Sequence, residues 1–223
     1  MSGEKAQEFS SSPRLKIKIE SLSDLVFGLA LSIGSLELLA RTPQTPSDLT
    51  TSVALFAFSF FIVVSIWFGY ARIRAGTPQE TGGAVTLNLL LLFCVALEPY
   101  LFFVLQSKAS DVSFLDWASS GYALDVGAMF LILGGLIRPI LQQKSQRAER
   151  LGLHPVLLRR FRVAMFLYAF VGGCYLVSVL PIFWVDTALG PIRFVLWYSA
   201  FAFAFLGILN RRRERTQTTN RSE

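Results

Sequence analysis

The 223-residue chain is 53% hydrophobic and only 16% charged, against about 25% charged in ordinary soluble domains, and its long uncharged runs alternate with short charged ones. That pattern excludes a soluble enzyme or soluble binding domain and reads as one polytopic membrane domain. The formal net charge of +6 does not point to nucleic acid as a partner, because the basic residues cluster between and beside the apolar runs, where they set orientation and meet anionic lipids.

The expected fold is all-α: a cytoplasmic N-terminal segment (residues 1–17), six transmembrane helices (18–210) and a basic cytoplasmic tail (211–223). The first 13 residues are polar and lack the apolar core of a signal peptide, so the first helix is expected to stay. That helix holds LSDLVFGLALSIGSLELL, preceded by Arg14, Lys16 and Lys18. On a 3.6-residue period Leu25, Leu29, Ser32 and Leu36 share one stripe, with Ile33 beside it, and Gly28, Ser32 and Ser35 form a neighbouring strip of small residues. Any leucine-rich membrane helix produces some such stripe. By itself the stripe only makes a pore one of several readings.

A short connection with two prolines leads to a second crossing over residues 52–73, closed by Arg72 and Arg74. A turn with Gly76, Pro78, Gly82 and Gly83 leads to a third over 84–105, which carries Asn88 and Glu98-Pro99. The fourth covers 119–141, holds Asp125 and closes at Arg138-Pro139. Six basic residues between Lys144 and Arg162 follow, and this 142–162 connector reads as cytoplasmic, partly helical and lying along the headgroups. The fifth crossing (163–184) and the sixth (191–209) are joined by DTALG, short enough for a tight outer turn. Every segment assigned inside is basic and the outside loops are not, which puts both termini in the cytoplasm of a prokaryotic-type plasma membrane.

Little in the sequence supports catalysis. The lone histidine, His154, precedes Pro155 in the basic connector with no nucleophile pattern around it. Cys94 and Cys174 lie in apolar runs, where thiols act as small hydrophobes, and neither metal-ligand spacing nor a phosphate loop is present. No catalytic residue, metal or cofactor is assigned. The first three helices do not resemble the last three, which counts against an inverted-repeat transporter.

Intramembrane ionisable residues carry more weight. Asp24 has two readings that stay open: a polar network with Lys18, Ser23, Trp67 and Asn88 at the inner ends of helices one to three, or part of a helix N-cap with Ser21 or Ser23. Glu37, Glu98 and Asp125 fall near the outer boundary, where each is expected to reach headgroup water. For Glu37 a ring around an outer vestibule is the alternative.

Three stretches together resemble the transmembrane protein 175 family of potassium-permeable channels. They are Lys18-Ile-Glu-Ser-Leu22-Ser23-Asp24 with its aliphatic run and Leu36-Glu37, then Ser59-Phe60 with Trp67, then Asn88, the leucines 89–92 and Pro99-Tyr100. The chain departs from the family pattern at Lys18 (Arg), Leu22 (Phe) and Tyr70-Ala71 (histidines), and Lys lacks the planar bidentate geometry of Arg. The resemblance implies a homotetramer whose first helices line a central pore, with Leu29 as the hydrophobic constriction, Ser32 and Leu36 lining the pore, and K+ and other monovalent cations as the permeating species. Proton passage is a variant of that reading. Two other classes stay open: a proton-coupled secondary transporter, and a membrane scaffold that conducts nothing.

Overall fold

The computed structural model describes residues 13–40, 43–76, 82–106, 112–151, 155–184, 186–187 and 190–203. Bilayers offer backbone groups no hydrogen-bond partners, so apolar segments must satisfy them internally. The described chain accordingly is nearly all helix: α1 (Pro13–Ala40), α2 (Pro46–Gly76), α3 (Gly82–Gln106), α4 (Val112–Leu151), α5 (Pro155–Val177) and α6 (Ile192–Phe203). Five of these are long and apolar enough to cross a membrane, and α6 is a shorter apolar helix over its described length. The remainder of the expected sixth crossing, the 211–223 tail and His154 lie outside the described residues.

The N-terminus of α2 shows why it starts earlier than the apolar run. The Thr45 hydroxyl accepts from the Asp48 N–H at 3.1 Å, and the Asp48 carboxylate accepts from the Thr45 N–H at 3.2 Å. Pro46 occupies the first helical position, where its missing N–H costs nothing. α1 likewise begins well before its apolar run. Because it starts at Pro13, roughly three turns before Asp24, Ser21, Ser23 and Asp24 sit in a helix interior and the N-cap reading of Asp24 falls.

The basic connector (142–162) is largely helical and shared by two elements: α4 continues into it to Leu151, giving 40 residues and a length of about 60 Å, and α5 begins within it at Pro155. The apolar part of α4 ends at Leu141, so the polar last turns extend the same axis beyond the apolar span. Between α5 and α6 the chain makes a 3-10 turn at Pro181–Phe183 and pairs Asp186–Thr187 with Gly190–Pro191 antiparallel. This hairpin is the expected tight turn.

The core lies around α4, which packs most extensively against α5 and then α3, while α1 rests chiefly on α3 and secondarily on α2. Aromatic rings pack beside it: Tyr122 contacts Phe102 and Trp197, and Tyr175 stacks on Trp197 at 5.6 Å. α4 and α5 approach closely at Gly127 and Gly172. A Cβ on Gly172 would stand 2.9 Å from the Gly127 carbonyl oxygen, whereas one on Gly173 would meet nothing within 4 Å. Gly172→Ala is therefore expected to lose about 1–3 kcal/mol of stability as the backbones are pushed apart, and Gly173→Ala to change it little. Thermal unfolding of the detergent-solubilised pair measures the difference.

Candidate functional site

α1 has two unlike faces. Ser23, Phe27 and Ala30 point into the bundle, with Phe27 only 2% exposed. On the other side Leu25, Leu29 and Leu36 are 68%, 58% and 59% exposed, and Leu22, Ile33 and Ser32 are exposed with them. The buried residues repeat at i, i+4, i+7 and the uncovered ones at i, i+4, i+7, i+11, so one helix face is packed and the opposite face has nothing among the described residues against it.

Exposure alone does not single out α1. On α5, Val163, Phe166, Phe170 and Val177 are also uncovered, a bulky aromatic face of the sort suited to lipid tails. The α1 face differs in chemistry, because hydroxyls interrupt its leucines. Ser32 Oγ donates to the Gly28 carbonyl at 2.8 Å and Ser35 Oγ to the Ser32 carbonyl at 2.7 Å. With each hydroxyl proton engaged by the helix itself, the oxygen lone pairs remain available outward. Glu37 belongs to α1, but its side chain lies outside the described residues.

At the inner end the structure brings together part of the expected network. Trp67 Nε1 donates to Asp24 Oδ1 at 3.0 Å. The hydroxyls of Ser23 and Tyr70 are 2.8 Å apart in a buried contact, and Ser23 also donates to the Ile19 carbonyl at 2.7 Å. Lys18 is exposed and stands apart from these contacts, and Asn88 is buried with neither amide atom hydrogen-bonded. Tyr70, which the sequence brings to the same end with Trp67, joins the network through its hydroxyl, a contact the sequence did not specify. Its ring contacts Phe27 at 5.9 Å and lies under the buried Arg74 guanidinium at 5.9 Å. The signal was present: Trp67, Tyr70 and Arg74 follow one another at i, i+3, i+7, on one helix face.

The outer carboxylates are not where the sequence placed them. Glu98 is 1% exposed, accepts from the Ser59 hydroxyl at 2.7 Å and takes a long 3.5 Å contact from Tyr122. Asp125 is likewise buried. The expectation that both reach headgroup water is overturned, because α3 and α4 turn these residues toward each other rather than outward. Asp116, one helix end away, pairs with Arg193 of α6, whose guanidinium also lies over Trp184 and Phe194.

This is the architecture of a multi-pass helical membrane protein with a first helix covered on one side only. Residues 18–99, which span α1, α2 and most of α3, match the family described as "Endosomal/lysosomal potassium channel TMEM175", the family to which the resemblance in these same helices points. The whole fold is similar to two solved structures. One is a lysosomal potassium-selective channel TMEM175 homolog from Chamaesiphon Minutus, with TM-score 0.59 and 19% identity over 88% of this chain and 98% of that one. The other is a variant of the potassium channel MtTMEM175 in complex with a nanobody–MBP fusion, with TM-score 0.52 and 18% identity over 87% and 93%. No curated protein matches the chain significantly.

The α1–α2 contacts give a direct test. Tyr70→Phe keeps the ring against Phe27 but leaves Ser23 without its partner, so it is expected to cost about 0.5–1.5 kcal/mol. Tyr70→Ala also opens a cavity and should cost about 3–5 kcal/mol. Thermal unfolding in detergent should rank the two in that order.

Proposed function

We propose that the protein is a potassium-preferring cation channel, a homotetramer in which the uncovered face of α1 from each subunit lines a central pore. The observation that carries this reading is the coincidence of two features on one helix: a leucine and serine face with nothing packed against it, inside the segment that matches a potassium-channel family. Four such faces around an axis form stacked rings. Leu29 makes the narrow hydrophobic constriction, Leu25 and Leu36 flank it, Ile33 borders the lumen, and Glu37 rings an outer vestibule.

Narrow leucine rings expel water and stop ions, so opening must widen them. The sequence has no TVGYG-like carbonyl filter. Discrimination then falls to pore width and to the outward lone pairs of Ser32, and is modest. Protons pass by the same wetted path. Conduction is passive, requires no cofactor and involves no catalytic residue. The contacts Asp24–Trp67 and Ser23–Tyr70 hold α1 against α2. The channel sits in the plasma membrane with both termini cytoplasmic, and its basic 142–162 segment meets anionic lipids.

Flux from proteoliposomes tests the assignment. Leu29→Ala is expected to raise basal K+ flux and loosen discrimination against Na+, and a wild-type rate and selectivity in that variant would remove Leu29 as the constriction. Ser32→Ala should change the K+/Na+ permeability ratio more than total flux. Glu37→Gln should lower cation conductance by weakening the vestibule field. Saturating flux with strict proton coupling would instead support a secondary transporter, and no flux at all a scaffold.

A further inference from the structure

α4 and α5 pack as an antiparallel pair, and glycines fix the register between them. Gly172 faces Gly127, and Gly134 faces the Met165 carbonyl. One residue down α4 for each residue up α5 puts Arg138 level with Phe161. Arg159, Arg160 and Arg162 lie within about 3 Å of that level along the axis, and all four arginines are exposed.

The pair also leaves a continuous uncovered strip on one side. On α4, Trp117, Leu124, Leu131 and Arg138 recur every seven residues and all are exposed. From Trp117 to Arg138 the strip runs about 31 Å, the thickness of the hydrocarbon layer, with an interfacial indole at one end and a guanidinium at the other. On α5 the exposed Arg159, Arg162, Phe166 and Phe170 share one face at i, i+3, i+7, i+11. Measured from the Gly127–Gly172 contact, both strips turn in the same rotational sense, which in antiparallel helices puts them on one side of the pair. Leu131 borders α5 there, 3.0 Å from where a Gly172 Cβ would stand. The other side is covered by α2, where a Cβ on Gly69 would meet Tyr168 and Leu133. Arg160 is turned about 100° from Arg159, off the strip.

Charge decides what the groove takes. Glu149 is the only Asp or Glu between residues 126 and 177, and it stands about 16 Å beyond Arg138 along α4. Guanidiniums at the edge of the hydrocarbon, with no carboxylate at their level on either helix, favour phosphate, which accepts their paired N–H bonds. Beside them Leu131, Phe166 and Phe170 offer only apolar surface. We propose that this groove binds an anionic phospholipid of the leaflet at that end of the bundle, with Arg138, Arg159 and Arg162 on the phosphate and an acyl chain along Leu131, Phe166 and Phe170. The groove gives the basic segment's contact with anionic lipid, on which the site rests, one defined place. It is independent of whether the protein conducts.

Native mass spectrometry of the full-length protein released from detergent, titrated with phosphatidylglycerol or with phosphatidylcholine of the same chains, tests the site without any flux. Phosphatidylglycerol should be retained in preference. Each headgroup-level charge removed should weaken its retention about fivefold, so the double variant Arg138→Gln with Arg162→Gln is expected to lose about 25-fold, while Arg160→Gln matches wild type. An equal loss in Arg160→Gln overturns the groove and leaves a diffuse contact of the basic segment; retention of neither lipid overturns both. Equal retention of the two lipids overturns the anionic preference, and oligomers that keep no phosphatidylglycerol point to a second copy as the occupant. Thermal unfolding separates lipid from free anion: phosphatidylglycerol should raise the midpoint, and an equal rise with inorganic phosphate overturns the lipid. Should the double variant not fold, Phe166→Trp serves alone. Its added fluorescence should be quenched by phosphatidylglycerol brominated on the acyl chain, and an unquenched increment overturns the placement of the chain.

Discussion

A carboxyl group inside a membrane bundle must find donors, and Glu98 finds them on two other helices. Ser59 of α2 and Tyr122 of α4 both turn their hydroxyls to it. Tyr122 in turn packs its ring on Trp197 of α6, and Trp197 donates to Ser178 just beyond α5 at 2.7 Å. One polar and aromatic spine thus ties α2 to α6 around a single buried acid. In hydrocarbon a misplaced polar group is costly, so the spine fixes the relative depth of the helices that leucine contacts, which are nearly indifferent to sliding, leave undetermined.

α1 stands outside that spine. It is held along one face by Ser23, Phe27 and Ala30 and at its inner end by bonds to Trp67 and Tyr70. Its packing is on α3 and α2, while its other face carries hydroxyls among leucines.

Tyr70 holds α1 against α2. Tyrosine keeps an aromatic plane for Phe27 and Arg74 and supplies a hydroxyl that Ser23 meets at 2.8 Å. The bond joins α1 to α2. Lys18 is exposed and joins none of these contacts among the described residues.

The sequence by itself determined the membrane class, the approximate places of the apolar helices and the stripe on α1, because hydrocarbon thickness and the 3.6-residue period act on each helix separately. A closer reading would also have placed the start of α2, since Thr45, Pro46 and Asp48 are a local cap. Only the tertiary structure decided that Glu98 and Asp125 face inward, that Tyr70 rather than Asn88 meets Ser23, and that the basic connector prolongs α4. Distance from a helix end says nothing about azimuth. Which side of a helix a carboxyl occupies depends on the rotation of its neighbours, and that is set by packing across the bundle rather than by any one stretch of chain.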